Sequence, residues 1–369
     1  MIFIRVLLAL AGAAATLFAA ASLERGEING ASFRIDVPES WNGGLVMFCH
    51  GYSATPVTYA APKVYKLLEP FLDQGYAIAQ SAYAATGWAI ADAMRDTEAL
   101  RQYFVRKYGA PKETYISGGS MGGFLTIAII EKYPTAYQGG LALCGPLAPA
   151  SVFIERRGFD LRVVFDSYFP GALPPIDKVP ADYSSGPEQI KKLTALLDGK
   201  PQEAANVRRF GALRLNAEVA WAVSLFTNIV KDVQQRGGGN PFDNTNTIYE
   251  GTDDDYALND RVKRYMADAH AAEYLRANYT PTGRLLKPLV AIHTTYDPLV
   301  PPWLTNAYSA ATGQAGASGL FVQQYVKRTG HCAISPDDVA SSFAQLRKWV
   351  NEGVKAPAGA ILLPQKEKN

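Results

Sequence analysis

The sequence predicts an α/β fold: a mostly parallel sheet with helices on both faces, interrupted by a large, mainly helical insertion. Three observations predict it. Continuous apolar runs of strand length alternate with segments of helical spacing up to about residue 146, the pattern of strands covered on both faces. One of these runs, residues 114–117, ends in a glycine-rich turn around Ser120 that opens directly into an apolar helical stretch. Between about residues 147 and 287 no convincing buried strand occurs, and afterwards the strand pattern resumes.

Residues 1–21 read as an export signal. Arg5 supplies a positive start, residues 6–20 are apolar, and Ala19-Ala20-Ala21 offers a small-x-small cleavage pattern. The run is short for a membrane span of roughly 20 residues, and Glu24, Arg25 and Glu27 follow at once. The expectation is a secreted or periplasmic chain beginning at Ser22, with no membrane segment after cleavage.

The first core part is expected over residues 22–146. Residues 31–38 alternate apolar and polar, as a half-exposed edge strand does, and 44–49 form a buried strand ending at His50-Gly51-Tyr52. Helical spacing covers 59–72, a buried strand 76–80, and an amphipathic helix 89–108. The helix after Ser120 runs to Tyr133 and is stopped by Pro134; residues 140–144 form the next strand. In the insertion, 147–287, helices are expected at 188–197, 218–235 and 259–278. The second core part, 288–356, holds strands at 288–293 and 320–326 and a helix at 336–350. Residues 357–369 are a tail in which Ile361-Leu362-Leu363 is the one segment able to dock.

Composition narrows the function. A hydrophobic content of 48% is ample for a core, and 36 basic against 34 acidic residues give no electrostatic case for nucleic acid. Cys49, Cys144 and Cys332 are too few for a disulfide framework and lack zinc spacing, so free thiols are the first expectation. All three fall at strand ends on the edge that carries Ser120, so any bridge is expected close to it. Residues 240–255 are rich in side-chain oxygens but lack the spacing of a calcium loop, and no metal or cofactor is assigned.

The chemistry centres on Gly118-Gly119-Ser120-Met121-Gly122-Gly123. A strand-to-helix turn this tight forces its serine into a strained conformation and lifts the hydroxyl above the sheet edge. A serine hydroxyl needs a base during attack, and histidine is the usual one. Of the four histidines, His50 and His293 end strands, His270 lies in an insertion helix, and His331 sits in a loop between the last strand and the last helix. Functional groups gather at the carboxyl ends of parallel strands; His331 meets that rule as a candidate base, and Asp297, just past the preceding strand, as the candidate acid. Asp160, Asp166 and Asp253-Asp254-Asp255 compete on composition but precede the strand expected to carry the acid.

These segments resemble the α/β-hydrolase superfamily: His50-Gly51-Tyr52, the turn from Gly118 to Gly123, Asp297-Pro298-Leu299-Val300-Pro301 and Gly330-His331. The order Ser120, Asp297, His331 is the superfamily's own. The resemblance spans about residues 31–144 and 288–350, and is nearest to secreted esterases and prolyl-oligopeptidase-like hydrolases. It implies an oxyanion hole from the backbone N–H groups of Met121 and Tyr52, with His50 a structural residue. The lipase-type H-G-G-G loop is absent. Tyr83 and Trp88 are expected to wall the substrate pocket, with Trp221 and Phe226 facing it from the insertion. The expected activity is hydrolysis of a small-molecule or polymeric carboxylic ester. A prolyl-oligopeptidase-type peptidase is the rival, disfavoured by the short stretch between the signal and the first strand. A non-catalytic binding module of the same fold is the third reading.

Overall fold

The computed structural model describes residues 22–361, so the export signal and most of the tail lie outside the described residues. The nine strands are β1 (Ser22–Ile28), β2 (Ala31–Val37), β3 (Leu45–Cys49), β4 (Ala77–Ser81), β5 (Thr114–Gly119), β6 (Gly139–Leu143), β7 (Leu289–Tyr296), β8 (Phe321–Thr329) and β9 (Gly359–Ala360). They form one sheet in the order β1-β2-β4-β3-β5-β6-β7-β8-β9. β1, β2 and β4 pair antiparallel, and every later pair is parallel. The central strands β3, β4 and β6 are buried at every position, as apolar strands covered on both faces must be.

Before the insertion the helices are α1 (Glu69–Asp73), α2 (Ile90–Tyr108) and α3 (Met121–Lys132). The chain from β6 to β7 carries α4 (Ala150–Val152), running through a π-helical stretch, Phe153–Phe159, into α5 (Asp160–Tyr168). There follow α6 (Pro187–Asp198), α7 (Pro201–Phe210), α8 (Asn216–Gly237), α9 (Asp255–Arg261) and α10 (Ala269–Ala277). The core closes with α11 (Leu304–Gln314) and α12 (Pro336–Glu352). One apolar layer packs α1 and α12 on the sheet around Phe71, Tyr76, Tyr115 and Phe343. The other, larger layer joins the opposite face to α2, α3 and the insertion.

Four sequence expectations need correction. Residues 31–38 are not an edge: β2 is almost wholly buried, and the edge is the charged, exposed β1. The polar positions that suggested exposure, Arg34 and Asp36, pair with each other at 2.7 Å. Residues 59–72 hold only a short 3-10 turn, Lys66–Leu68, and α1. The carbonyls a longer helix would need, at Ala60, Ala61 and Pro62, instead accept from Arg25 and Arg34. The single helix expected at 259–278 is two, because Asn244 takes the Tyr265 N–H and the Lys263 carbonyl between them. The helical stretch from Ala150 to Tyr168 was not anticipated. It buries Arg157, Asp160 and Arg162, which mask its apolar period.

Candidate active site

Ser120 stands between β5 and α3 with φ 56° and ψ −120°, a conformation that costs a non-glycine residue strain. The glycines explain how the turn closes. A Cβ on Gly118 or Gly122 would run into the Cys49 carbonyl oxygen, and one on Gly123 would lie 2.7 Å from the Leu143 oxygen. Gly119 differs, since a Cβ there meets nothing within 4 Å. The Ser120 N–H is tied to the Leu143 oxygen at 2.9 Å, which fixes the turn to the end of β6.

The loop after β8 brings His331 Nε2 to 2.9 Å from Ser120 Oγ, and His331 Nδ1 to 2.7 Å from Asp297 Oδ2. An ionised carboxylate only accepts, so the imidazole proton sits on Nδ1 and Nε2 accepts from the serine hydroxyl. Asp297 Oδ1 accepts the N–H groups of Leu299 and Val300, both at 2.9 Å. Burial alone would push this carboxyl up. Hydrogen bonds from His293, His331 and the Val300 N–H instead hold it well below the usual carboxylate range.

Comparisons with known proteins bear on this arrangement. The Tannase-like family of unknown function (DUF6351) matches residues 20–172, less than half of the chain. An o-phthalyl amidase from Xanthobacter agilis is 28% identical over 147 residues, covering 38% of this chain and 31% of the amidase. Among solved structures, a prolyl endopeptidase is 14% identical with a TM-score of 0.50, over 91% of this chain and 39% of that one. A putative dipeptidyl aminopeptidase IV from Bacteroides ovatus is 11% identical with a TM-score of 0.50, over 90% and 36%. This chain therefore spans well under half the length of these relatives. The fold is that of the α/β-hydrolase superfamily.

In this hydrolase fold, a cavity of about 820 Å³ opens over Ser120. Tyr52, Trp221, Leu225, Leu299 and His331 line it, together with Thr58, Tyr59, Ala61 and residues 63–68. A second, small space of about 30 Å³ reaches Met121 and is walled by Trp88, Phe153, Phe226 and Ile229. The N–H groups of Tyr52 and Met121 find no acceptor among the described residues, and Met121 is the first residue of α3, where helix amides are free and the dipole favours an anion. Trp221 packs edge-on to His331, with ring centres 6.3 Å apart. Tyr83 sits elsewhere: its ring stacks on His50 at 4.0 Å, and its hydroxyl reaches the His50 carbonyl, behind the cavity wall. His50 lies 2.7 Å from the Gly51 oxygen and 3.3 Å from the Ala82 oxygen, and burial pushes its pKa down. These contacts tie His50 to the loop that carries Tyr52.

Of the competing acids, Asp160 bonds Tyr249 and Arg156, Asp166 bonds Arg162, and Asp254 caps α9. None of these bonds involves His331.

Sequence reasoning missed three supports. His293 Nε2 lies 2.8 Å from the Val300 oxygen and 3.5 Å from Asp297 Oδ2, clamping the loop that carries Asp297. Arg157, whose pKa burial pulls down to about 10, donates to the carbonyls of Pro298 and Gly211. Asp232 on α8 accepts from the Tyr52 hydroxyl at 2.7 Å and from the Trp88 N–H at 3.3 Å. The first expectation of free thiols is corrected as well. Cys144 and Cys332 form a disulfide beside Ser120, and Cys49 is free and buried.

Proposed function

We propose that this chain is a serine hydrolase that cleaves carboxylic esters through an acyl-Ser120 intermediate. The observation that carries the reading is the unbroken hydrogen-bonded line Ser120–His331–Asp297, at 2.9 and 2.7 Å, ending on a serine held at φ 56°. His331 Nε2 takes the hydroxyl proton as Ser120 Oγ bonds to the carbonyl carbon. The carbonyl electron pair moves to oxygen, where the Met121 and Tyr52 N–H groups are free to receive it; such a donor is typically worth about 10²–10³ in rate. The leaving alkoxide then takes the proton from Nε2. Water repeats the sequence on the acyl-enzyme and releases the acid. Asp297 keeps the imidazole in the right tautomer and stabilises the imidazolium.

A fluorophosphonate probe is expected to label Ser120, and Ser120→Ala is expected to abolish both labelling and turnover while the protein stays folded. Turnover retained in that variant overturns the assignment. A folded wild-type protein that neither labels nor turns over substrate points instead to a binding module.

The amidase match favours a second reading, amide hydrolysis by the same acyl-enzyme, with His331 protonating the departing amine. Esters and amides of one shared acyl group, prolyl amides included, separate the two. The stretch between β6 and β7 we read as a cap, since Trp221, Leu225 and Phe226 roof the serine. Export is part of the proposal. Among the described residues no helix is long and apolar enough to cross a membrane, and a disulfide fits an oxidising compartment. Sequencing the mature N-terminus should find Ser22; a chain retaining Met1 removes the export step.

A further inference from the structure

We propose that the cavity over Ser120 selects substrates bearing a negative charge, a carboxylate or a comparable acid group on an apolar body. The proposal rests on the hydrolase reading above and names its substrate class. The chain as a whole is nearly balanced, with 36 basic and 34 acidic residues. The cavity is not: the lysines and arginine lining it are Arg34, Lys63 and Lys66, and no aspartate or glutamate lines it among the described residues.

The three cations differ in what they can offer. Arg34 is buried and committed, held by Asp36 and by the carbonyls of Ala61 and Pro62. Lys63 and Lys66 are exposed, and their ammonium groups have no ion pair or hydrogen bond among the described residues. Two lysines with unpaired ammonium groups thus share the cavity lining with Phe48, Trp221 and Leu225.

The backbone that presents them is held in place. Arg25 donates to the Ala60 and Ala61 carbonyls at 3.2 and 2.6 Å, and Arg34 to those of Ala61 and Pro62 at 2.5 and 3.1 Å. Two arginines rooted in β1 and β2 therefore lash down the three residues just before Lys63. An irregular segment so anchored loses little further freedom when a ligand arrives, which favours recognition. A carboxylate beside both ammonium groups gains a preference on the order of tenfold at low salt, shrinking as ions screen it.

The test compares kcat/KM within two matched ester pairs, using the full chain. One pair places the charge on the acyl side: mono-4-nitrophenyl glutarate against 4-nitrophenyl valerate. The other places it on the leaving side: 4-acetoxybenzoate against its methyl ester. In at least one pair the anionic member should be preferred about tenfold at low salt. That ratio should fall at high salt, collapse in Lys63→Ala/Lys66→Ala, and invert in Lys63→Glu/Lys66→Glu.

Ratios that are equal in wild type and variants, while Ser120 is labelled by fluorophosphonate, overturn the charge selection and leave the hydrolase reading standing. For a labelled protein that turns over none of the four esters, the readout is protection of Ser120 by benzoate against benzamide. Equal protection overturns the selection, and stronger protection by benzoate supports it. A protein that neither labels nor turns over any ester loses the hydrolase reading, and this proposal with it.

Discussion

The Cys144–Cys332 bridge makes a prediction that separates local from global effects. It joins residues 188 apart in sequence, the end of β6 to the residue after His331. In the chain-entropy account, opening a loop of that size returns about 5 kcal/mol to the unfolded ensemble. Its local role is to pin a loop whose backbone is already strained, with Gly330 at φ 121° and Cys332 at φ 54°. Without it, the loop keeps the Gly330 N–H bond to the Tyr296 oxygen at 2.9 Å and the Thr294 hydroxyl bond to the Gly330 oxygen at 3.0 Å. Both grip the residue before His331, and on its far side Arg328 holds the Ala333 oxygen at 3.2 Å, so the bridge is what ties Cys332 itself to the end of β6. A shift of about 1 Å in a catalytic group costs roughly a hundredfold. Reduction, or Cys144→Ala/Cys332→Ala, should therefore lower the urea midpoint and cut kcat/KM by about ten- to a hundredfold. Thiol titration provides the control. Burial pushes the Cys49 thiol up to about 12, so native protein should react slowly, unfolded unreduced protein should show one thiol, and reduced protein three. Three thiols in unfolded, unreduced protein, or full activity after verified reduction, would refute the reasoning.

Three more outcomes follow from the same geometry. Gly122→Ala drives a methyl into the Cys49 carbonyl and should abolish soluble expression, whereas Gly119→Ala meets open space and should leave the melting temperature within a few degrees. Asp297 has a folded pKa below its unfolded value of about 3.9, so the stability it contributes is fully present above about pH 4 and is lost as pH falls further. Asp297→Asn should flatten that acid limb in urea titrations at pH 3 and 7, and lower kcat by about 10⁴ through the wrong tautomer. Asp232→Ala strands the Tyr52 hydroxyl and the Trp88 N–H, and should reduce kcat about tenfold by loosening an oxyanion donor. Asp232→Asn keeps an acceptor and should recover most of that loss.

The parallel core was legible because its physics is local. Strands such as Leu45–Cys49 and Gly139–Leu143 are buried at every position, so their residues read as unbroken apolar runs. Ser120, Asp297 and His331 were readable together because each follows a strand at the same sheet edge, and topology did the rest. The supporting residues were not readable. Asp232 meets Tyr52 across 180 positions and Arg157 meets Pro298 across 141, and no short-range pattern encodes such pairs. The segment before α1 misled for a related reason. Its helical spacing is real, but Arg25 and Arg34, from strands more than 25 residues away, capture the carbonyls a helix would use. Tyr83 was placed by its position after β4, but its ring turns onto His50 and its hydroxyl onto the His50 carbonyl, contacts that span 33 positions.

The insertion is more than a cover, and α8 shows why. Trp221, Leu225, Ile229 and Asp232 are spaced by four, four and three residues, so they share one face of the helix. Trp221 meets the His331 ring, Leu225 lines both cavities, Ile229 closes the small one, and Asp232 holds the Tyr52 hydroxyl. The His331 ring, the cavity wall and the Tyr52 loop therefore all meet this one helix face. In the mechanism proposed above, a change that moves α8 acts on the cavity wall and on the Tyr52 loop together. The serine turn gains nothing from such coupling by itself, because its geometry is set by backbone contacts among β3, β5 and β6. The core thus fixes the shape of the Ser120 turn, while one face of α8 meets the His331 ring, the cavity and the Tyr52 hydroxyl around it.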